Sequence, residues 1–557
     1  MRIKKTFSPF IVSIFILHLL VFIACRNKKT DSNIAGSPQE LQQMVPDLIR
    51  SFIDSAAAVD GMLDQPGLVQ EAYQKNSYIP VWSKEQEWLP MGDSLYNMIA
   101  GAKLLGLFPE DYHEKELTSI RTGFFNDSTA KTDRKDAFLW SKADVLLTDA
   151  FMQIMKDVKL GRLAQDSITL RKDSVLPDEF YKERFAIAQH SHSIALVISS
   201  LEPKQIGYHL LKKGIKKFLD SADYRTHTVV PSPGSGTAYK KALQSRLYEG
   251  GFLPTDTIMA DSESMIAAIK KFQLQNGITV DGQVGSGTLR MLNLSDWEKF
   301  IRIAISMDKY KMLPEQMPSK YIWVNLPGYS LQLVDNDTII LVSKIVCGKP
   351  ITRTPQLTSA ISEIITYPQW TIPTSIIVKE ILPGVKKDPG YLSRKGFSLI
   401  NGKGEEVDPF SVDWSKYSKG IPYRVVQGSG DANALGILKF NFNNKYSVYL
   451  HDTNQRYLFG LVSRDLSHGC VRVQEWQKLA NYIIQNDGTI ASGQNKTKID
   501  SLNTWLRKKE KHSIPIRNRL PLFIRYFTCA GSDSGVVFYD DIYGEDEGLR
   551  KQYFATK

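Results

Sequence analysis

The sequence SHGCVR at residues 467–472 follows a strand-like segment, YSVYLHD at residues 446–452, which carries His451 near its end. A cysteine thiolate is the nucleophile in cysteine acyl transfer, and a nearby imidazole can accept the thiol proton. Gly469 beside Cys470 lets the backbone approach a substrate carbonyl and direct N–H groups at the developing oxyanion. The two segments therefore indicate acyl transfer through Cys470, with His451 held at a strand end.

From about residue 320 the sequence has a two-residue period that predicts a mainly β domain. Asp335-Asn336-Asp337 is typical of a hairpin turn. Residues 374–435 are rich in Gly, Pro, Lys and Asp and lack a strong strand pattern, which predicts an inserted subdomain or lid. A helical pattern from Val473 to Ile483 predicts that Cys470 lies near a helix N-terminus. Strands are predicted at residues 321–326, 331–334, 339–342, 343–347 and 445–450.

Residues 41–230 have a helical pattern without a convincing catalytic cluster. Gly161 suits a helix stop, and His190 and His192 lack the further ligands that a metal site needs. Apolar residues at three- and four-residue spacing predict one long buried helix face, made of Leu146, Leu147, Ala150, Phe151, Ile154, Met155 and Val158.

A Pro/Gly/Ser linker, TVVPSPGSGT at residues 228–237, precedes a compact unit at residues 238–296. Two amphipathic helices surround the loop GITVDGQVG at residues 277–285, and Thr288 and Leu289 follow. Such a unit can form only a small three-helix core. It resembles the peptidoglycan-binding module, whose signature runs FQ…G…DG.VG..T…LN, and the resemblance implies binding to glycan or stem peptide.

The N-terminus is typical of an exported protein. Arg2, Lys4 and Lys5 precede an apolar stretch from Phe7 to Ala24, as in a secretion signal. The sequence FIAC at residues 22–25 resembles a bacterial lipoprotein cleavage box, although Phe22 replaces the usual small aliphatic residue. We expect residues 1–25 to be a signal cleaved before a lipidated Cys25, followed by a polar tether at residues 26–40. An uncleaved membrane anchor is the alternative, and both place the body outside the cytoplasm.

Length, net charge and cysteine content limit the classes of protein to which this chain can belong. The 557 residues allow about three to four domains, and the net charge of +11 favours an anionic partner or surface. No basic run with interleaved aromatics indicates nucleic acid. Beyond Cys25 there are three cysteines, which excludes a disulfide-built scaffold; Cys347 and Cys529 are expected to be buried apolar residues, and Cys470 the free thiol.

His451, fifteen intervening residues and then Ser-His-Gly-Cys-Val-Arg resemble the motif of the YkuD-type L,D-transpeptidase catalytic domain. The flanking sequences YPQW at 367–370 and IPTSI at 372–376, together with Pro355, strengthen the resemblance, as does KEILP at 379–383. GLFPEDYH at 106–113 and DDIYGED at 540–546 resemble the large periplasmic members of this family. The expected fold class is multidomain α+β: a helical scaffold domain (41–230), the three-helix module, a mainly β catalytic domain (320–495) with a lid at about 374–435, and a C-terminal segment (496–557) that packs on the scaffold or catalytic domain.

The resemblance implies a role for each motif residue. Cys470 is the nucleophile that attacks the carbonyl of the third stem residue and expels the terminal D-alanine, and His451 is its general base. Gly469 and Cys470 supply oxyanion N–H groups, while Asp452, where the family has a small residue, orients His451 or raises its pKa. His468 shapes the loop or takes a direct chemical part. The expected substrate-binding residues are Arg472, Ser467 and Trp370; Arg472 can instead be a surface charge, and Trp370 can instead pack in the core or lid.

Several alternatives stay open. Attack by an amine on the thioester gives a 3–3 cross-link, whereas attack by water gives L,D-carboxypeptidase trimming. A non-catalytic cell-wall-binding scaffold is a further possibility, although the intact Cys470 and His451 pair speaks against it. A zinc peptidase lacks a ligand set in the sequence, so we expect no metal and no cofactor. The expected partners are peptidoglycan glycan and stem peptides, a membrane through the lipid anchor, and carbapenem-type β-lactams as inhibitors. The expected location is a Gram-negative-type periplasm, at either membrane.

Overall fold

The computed structural model describes residues 38–57, 61–85, 87–125, 136–234, 236–276, 278–488 and 492–557. The predicted signal, the lipidation site Cys25 and the tether up to residue 37 lie outside these ranges. The last three tether residues form the start of a helix at Pro38. Among the residues described, no helix combines the length and apolarity that a membrane crossing requires. The chain forms two compact units.

The first unit comprises the described parts of residues 1–101, 108–155 and 177–198 and is helical apart from one short hairpin, β1 and β2. The face predicted between Leu146 and Val158 is fully buried, and Gly161 ends the helix with a φ of +74°. The elements are α1 Pro38–Ala57, α2 Pro66–Lys75, β1 Ser83–Lys84, β2 Glu87–Trp88, α3 Pro90–Ala100, α4 Glu114–Phe125, α5 Ala137–Leu160, α6 Asp178–Ser191 and α7 Ile194–Leu201, with the last residues of α5 and α7 counted in the second unit.

The second unit begins with helices, three of which form the predicted three-helix module. The side chain of Gln273 connects three positions of the module's signature sequence. Its amide donates to Asp281 Oδ1 at 2.8 Å and to the Thr288 hydroxyl at 3.1 Å. Its amide oxygen accepts from the Gly282 N–H, and Gly282 has a φ of +76° that favours glycine. The elements are α8 Ile206–Ser221, α9 Gly236–Glu249, α10 Ser262–Gln275, α11 Ser286–Leu292 and α12 Asp296–Lys311.

Eight strands of the second unit close into a barrel. The hydrogen-bonded order is β3-β4-β5-β13-β11-β10-β6-β14, and β14 pairs again with β3. The predicted turn joins β4 to β5, with Asn336 and Asp337 both at positive φ. The strands are β3 Lys320–Asn325, β4 Ser330–Asp335, β5 Thr338–Gly348, β6 Leu357–Thr366, β10 Leu438–Phe442, β11 Leu450–His451, β12 Asp465–Ser467, β13 Val471–Val473 and β14 Ser513–Arg525, with β12 paired to the end of β5.

The segment predicted as an inserted subdomain has its own apolar core around Leu399, Trp414 and Val425. It also forms a three-stranded sheet in the order β7-β9-β8. Because β7 lies at residues 370–371, the insertion begins a few residues before the predicted start at 374. The sequence pattern missed this sheet because each strand has at most four residues. The elements are β7 Trp370–Thr371, α13 Thr374–Ile376, a π-helical turn Ile377–Ile381, α14 Leu382–Lys387, α15 Tyr391–Arg394, β8 Phe397–Ile400 and β9 Arg424–Gln427.

The C-terminal part of the chain contributes to the barrel through β14 and then forms a hairpin and a helix. Gly531 in the hairpin lies so close to α8 that a Cβ there would be 2.0 Å from the Leu210 carbonyl carbon. The elements are α16 Trp476–Gln485, α17 Ser492–Lys508, β15 Cys529–Ser532, β16 Gly535–Phe538 and α18 Glu545–Tyr553. The predicted fold class is confirmed: a helical region, a three-helix module, and a mainly β domain with an insertion.

Candidate active site

Strand register brings the candidate residues to one face of the barrel. In the parallel pair of β11 and β13, His451 is the partner of Arg472 and Leu450 the partner of Val471. Side chains alternate across a strand, so Leu450 and Val471 point into the core, where both are fully buried. Residues on either side of this apolar pair therefore share the opposite face, and these are Tyr449, His451, Cys470 and Arg472.

This face lines a cavity of about 400 Å³. The barrel contributes the motif residues Ser467 to Cys470, and the insertion contributes Trp370, Pro373 and Ile376. The cavity is therefore bounded by the Ser467–Cys470 loop on one side and by the inserted subdomain on the other. Its volume is within the range of small-molecule sites.

The loop before Cys470 is held by its own hydrogen bonds. The Ser467 hydroxyl donates to the Cys470 carbonyl oxygen at 2.6 Å and accepts the Gly469 N–H at 3.1 Å. Gly469 has a φ of +119°, which strongly favours glycine. The Ser467 hydroxyl thus stabilises the loop internally, and Ser467 also lines the cavity, where its contact with substrate stays a prediction. The Gly469 N–H is already bonded to this hydroxyl. No backbone hydrogen bond of the described residues uses the Cys470 N–H, which is the donor that the loop leaves available.

The Cys470 thiol is neutral in this geometry. Burial raises its pKa above the usual 9.0, and the Tyr449 hydroxyl, Lys439 and Arg472 act in the opposite direction. The helix predicted from Val473 to Ile483 is present as α16, Trp476–Gln485, and begins three residues later than expected. The strand Val471–Val473 lies between Cys470 and this helix, so Cys470 is not at the helix N-terminus as we expected.

His451 is buried beside the same cavity, and its Nδ1–H donates to the Asp452 carbonyl oxygen. This leaves Nε2 as the basic nitrogen of a neutral ring. Burial, with a further contribution from Arg472, lowers the pKa of His451 to about 3. Among the described residues no hydrogen bond joins Cys470 to His451; the Cys470 Sγ lies 4.0 Å from the Ser447 carbonyl oxygen. Catalytic hydrogen bonds of this kind often tighten only when substrate binds.

The Asp452 carboxylate does not orient His451. It accepts from the Arg456 guanidinium at 2.7 Å and from the Ile437 N–H at 3.1 Å. A Cβ on Gly436 would lie 2.4 Å from the same carboxylate. Asp452 contacts His451 through its main-chain carbonyl. Its carboxylate binds the backbone just before β10.

His468 and Arg472 have different surroundings. The His468 Nε2 lies 2.5 Å from a Glu380 carboxylate oxygen in the π-helical turn of the insertion, so His468 links the catalytic loop to that subdomain. Arg472 donates to Gln455 at 3.0 Å, and its buried Nε–H has no acceptor among the described residues. A bound ligand can supply that acceptor. Arg472 is therefore not a simple surface charge.

Trp370 contacts both the cavity and the insertion. It lines the cavity and meets Phe397 of β8 edge to face at 6.4 Å between ring centres. The two roles predicted for Trp370, packing in the lid and binding substrate, are thus compatible.

Sequence reasoning missed two residues at this site, Tyr449 and Lys439. Lys439 is the register partner of His451 across β10 and β11, and its ammonium lies 3.9 Å from the centre of the Tyr449 ring. Burial lowers the pKa of Lys439, and nearby Cys470 raises it. The alternation Tyr449-Leu450-His451 was a signal for Tyr449. Lys439 needed the pairing of two strands that are separated in sequence.

Other polar clusters have structural partners. Asp64, His113 and Asp149 have ligand atoms within 4.8 Å of one another, so a metal-like grouping occurs in the first unit where none was expected. Asp149 already accepts the Gln65 N–H at 2.7 Å and contacts His113 at 2.7 Å. Cys347 and Cys529 are buried free thiols, as predicted, and burial raises the pKa of each to about 12.

Three family models match this chain. Residues 319–495 match the YkuD L,D-transpeptidase catalytic domain, residues 67–215 match a scaffold domain, and residues 240–292 match a "Putative peptidoglycan binding domain". The predicted combination of modules is confirmed, and the first match contains all the residues that line the cavity.

Two individual proteins are similar to parts of the chain. A "Putative L,D-transpeptidase" of Haemophilus influenzae is 35% identical over 248 residues, which are 44% of this chain and 48% of that protein. The chain thus spans about half the length of this curated relative. A crystal structure of an L,D-transpeptidase from Stackebrandtia nassauensis is 19% identical and covers 46% of this chain and 91% of its own, with a TM-score of 0.18. That score is too low to carry an argument about the fold.

Proposed function

We propose that this chain, which carries an L,D-transpeptidase catalytic domain, forms 3–3 cross-links between peptidoglycan stem peptides through a thioester on Cys470. The observation that carries the proposal is the register of β11 and β13, which places Cys470, His451, Tyr449 and Arg472 on one face of the barrel. That face lines a cavity large enough for a peptide segment. The module at residues 240–292, which matches a peptidoglycan-binding domain, would bind the polymer that carries these stem peptides.

Acylation begins with attack of the Cys470 sulfur on the carbonyl carbon of the third stem residue. The carbon–sulfur bond forms while the thiol proton passes to Nε2 of His451, and the negative charge moves to the carbonyl oxygen. The Cys470 N–H is the backbone donor that can stabilise this oxygen. Collapse breaks the carbon–nitrogen bond to the terminal D-alanine, whose amine receives the proton from His451.

Deacylation reverses these roles. An amine on a second stem peptide attacks the thioester carbon and loses a proton to His451. The new amide bond forms, the carbon–sulfur bond breaks, and the sulfur recovers the proton from the imidazolium. Water in place of the amine gives a free carboxylate, which is carboxypeptidase trimming.

The resting charges favour proton transfer during attack over a preformed ion pair. Burial raises the pKa of Cys470 and lowers that of His451, so both groups are neutral near pH 7. Lys439 and Arg472 lie beside them as fixed positive charges and favour the negative charge that develops on sulfur. Arg472, with its unsatisfied buried Nε–H, is also suited to hold a substrate carboxylate.

The same proposal covers location and inhibition. The sequence FIAC at residues 22–25 supports lipidation of Cys25 and attachment to a periplasmic membrane. Carbapenem-type β-lactams carry a strained amide that a cysteine of this kind can open to a thioester, so we expect them to acylate Cys470.

One experiment separates the candidate functions. The purified chain from residue 26 onward is incubated with tetrapeptide muropeptides, and the products are analysed by mass spectrometry. Cross-linked dimers that have lost one D-alanine support transpeptidation, tripeptides alone indicate trimming, and no product with retained wall binding indicates a scaffold. Cys470→Ala must abolish both the products and the carbapenem adduct; an adduct of normal mass in that variant contradicts the assignment of Cys470. His451→Ala must lose transfer while keeping the fold.

A further inference from the structure

A chain of hydrogen bonds, which we call the relay, runs from Tyr543 in the C-terminal segment through Thr354 to the carbonyl oxygen of Gly469 in the catalytic loop. The Tyr543 hydroxyl donates to the Gly348 carbonyl oxygen at 2.6 Å and accepts the Thr354 N–H at 3.2 Å. The Thr354 hydroxyl accepts the Gly348 N–H at 2.8 Å and donates to the Gly469 carbonyl oxygen at 2.8 Å. Each hydroxyl thus donates one hydrogen bond and accepts another, so the donor and acceptor directions of the relay are determined.

The relay residues have little freedom to move. Tyr543 and Thr354 are 4% and 1% exposed. The Tyr543 ring stacks on Tyr526 at 5.5 Å, and the Tyr526 hydroxyl accepts the Tyr543 N–H and donates to Asp541. Both Asp541 and Tyr543 belong to the sequence DDIYGED, for which catalysis itself gives no role.

The turn that receives the relay is equally constrained. A Cβ on Gly348 would lie 2.1 Å from the Thr352 carbonyl oxygen. The Lys349 N–H and the Thr352 hydroxyl both donate to the Ser467 carbonyl oxygen, at 3.0 and 3.1 Å. The turn after β5 therefore holds the catalytic loop at two carbonyls, those of Ser467 and Gly469.

The Gly469 carbonyl matters because it shares a peptide plane with the Cys470 N–H. In a planar trans peptide the C=O and N–H groups point in opposite directions, and no cis peptide occurs among the described residues. Without the hydrogen bond from Thr354 the peptide plane between Gly469 and Cys470 could rotate freely, since glycine tolerates many backbone angles. A hydrogen bond that holds the carbonyl oxygen on one side also holds the Cys470 N–H on the other.

We propose that Tyr543 is a positioning residue that acts through Thr354 on the Gly469 carbonyl and thereby aims the Cys470 N–H at the oxyanion. The proposal rests on the proposed acyl transfer. Tyr543 touches neither substrate nor the reacting sulfur in this role. Its effect is confined to steps that develop negative charge on a carbonyl oxygen.

Two reactions of Cys470 test this separately. Acylation by a carbapenem passes through an oxyanion, whereas alkylation by iodoacetamide is a displacement at carbon that needs only the sulfur. We expect Tyr543→Phe and Thr354→Val to slow acylation roughly 10- to 100-fold, as misalignment of an oxyanion donor does, and to leave alkylation within about twofold. Both rates are measured by intact-protein mass spectrometry on the purified chain.

Conservative and remote variants serve as controls. Thr354→Ser keeps the hydroxyl and must restore acylation. Tyr482→Phe removes a tyrosine hydroxyl that donates to Asp335 at 2.7 Å, away from the loop, and must leave both rates unchanged. If Tyr543→Phe does not fold, the Thr354→Val and Thr354→Ser pair decides the proposal.

Each outcome has one meaning. Unchanged acylation in Tyr543→Phe or Thr354→Val overturns the relay. An equal loss of acylation and alkylation also overturns it, because that shows general collapse of the loop. Failure of the unaltered chain to be acylated while it is still alkylated contradicts the proposed function, and with it the relay that rests on it.

Discussion

Lys439 stands opposite His451 in the antiparallel pair of β10 and β11, so both side chains lie on the cavity face of the barrel. The Lys439 ammonium lies 3.9 Å from the centre of the Tyr449 ring, and its charge lowers the pKa of Cys470. Partial burial of this cation lowers its pKa, while Cys470 and Glu363 act in the opposite direction. Its position favours negative charge on the Cys470 sulfur.

Replacing Lys439 by methionine keeps most of the volume and removes the charge. We expect the pKa of Cys470 to rise further and alkylation at pH 7 to slow about three- to tenfold. The measurement is the pH dependence of iodoacetamide alkylation. Lys478→Met, at an exposed surface ion pair with Glu475, is the control; an equal shift in both variants would show that net charge and not position is responsible.

Tyr449 contacts the thiol itself, and its hydroxyl lowers the pKa of Cys470. In Tyr449→Phe we expect acylation and alkylation to slow by a similar factor, on the order of threefold to tenfold, because the lost contact is with sulfur in both reactions. Intact-protein mass spectrometry gives both rates. Tyr446→Phe removes another tyrosine hydroxyl in the same cavity wall and is expected to react normally. Unequal effects in Tyr449→Phe would assign its hydroxyl to a different step.

Features of this site that lie in one short stretch of sequence were predictable, whereas most contacts that form only on folding were not. Cys470 and His451 were singled out because they belong to one ordered motif, and the turn after β4 was recognisable because its residues tolerate positive φ. The partner of His468 was not recognisable, since Glu380 is 88 residues away and meets it only once the insertion is in place. Asp452 pairs with Arg456, which is only four residues on, but no regular pattern in that loop predicted the contact. The hydrogen bonds of Ser467 within the loop were not predicted either, because a hydroxyl near Cys470 can bond the loop backbone as readily as it can bind substrate.

The helix expected after Cys470 is present, but it begins at Trp476 and not at Val473. Val473 fits a helix face or a strand face equally well, and its pairing with β5 assigns it to the strand. The short strands of the insertion were missed because two to four residues carry too little periodicity to be recognised.

His451 makes the barrel sensitive to acid. Its pKa is lowered from 6.5 to about 3 in the folded chain, chiefly by burial. Between about pH 3 and 6.5 the unfolded chain therefore binds more protons, so stability rises with pH across this window and is lost as pH falls through it. The full effect is on the order of 5 kcal/mol. We expect His451→Gln to shift acid unfolding of the barrel to lower pH.

The buried thiol of Cys347 reports this unfolding. In a Cys470→Ser background, its labelling by 4,4′-dithiodipyridine, which reacts in acid, is followed against pH and located by mass spectrometry. His192→Asn is the control, because His192 is exposed at the end of α6 with a φ of +51° that asparagine tolerates. Coincident labelling curves for His451→Gln and the parent would show that another group governs acid unfolding.

Gln273 offers a test of the three-helix module apart from the chemistry. Its amide oxygen accepts the N–H groups of Asp281 and Gly282, and its amide nitrogen binds the Asp281 carboxylate. Gln273→Ala leaves these groups unpaired, which we expect to destabilise the loop by about 2–4 kcal/mol. Hydrogen exchange of residues 278–292 should accelerate, and binding to insoluble peptidoglycan should weaken, while acylation of Cys470 by a carbapenem stays unchanged. Gln275→Ala, at an exposed position two residues on, should alter none of these. Full protection of the loop in Gln273→Ala would mean that apolar packing of the three helices, and not this amide, holds the signature loop in place.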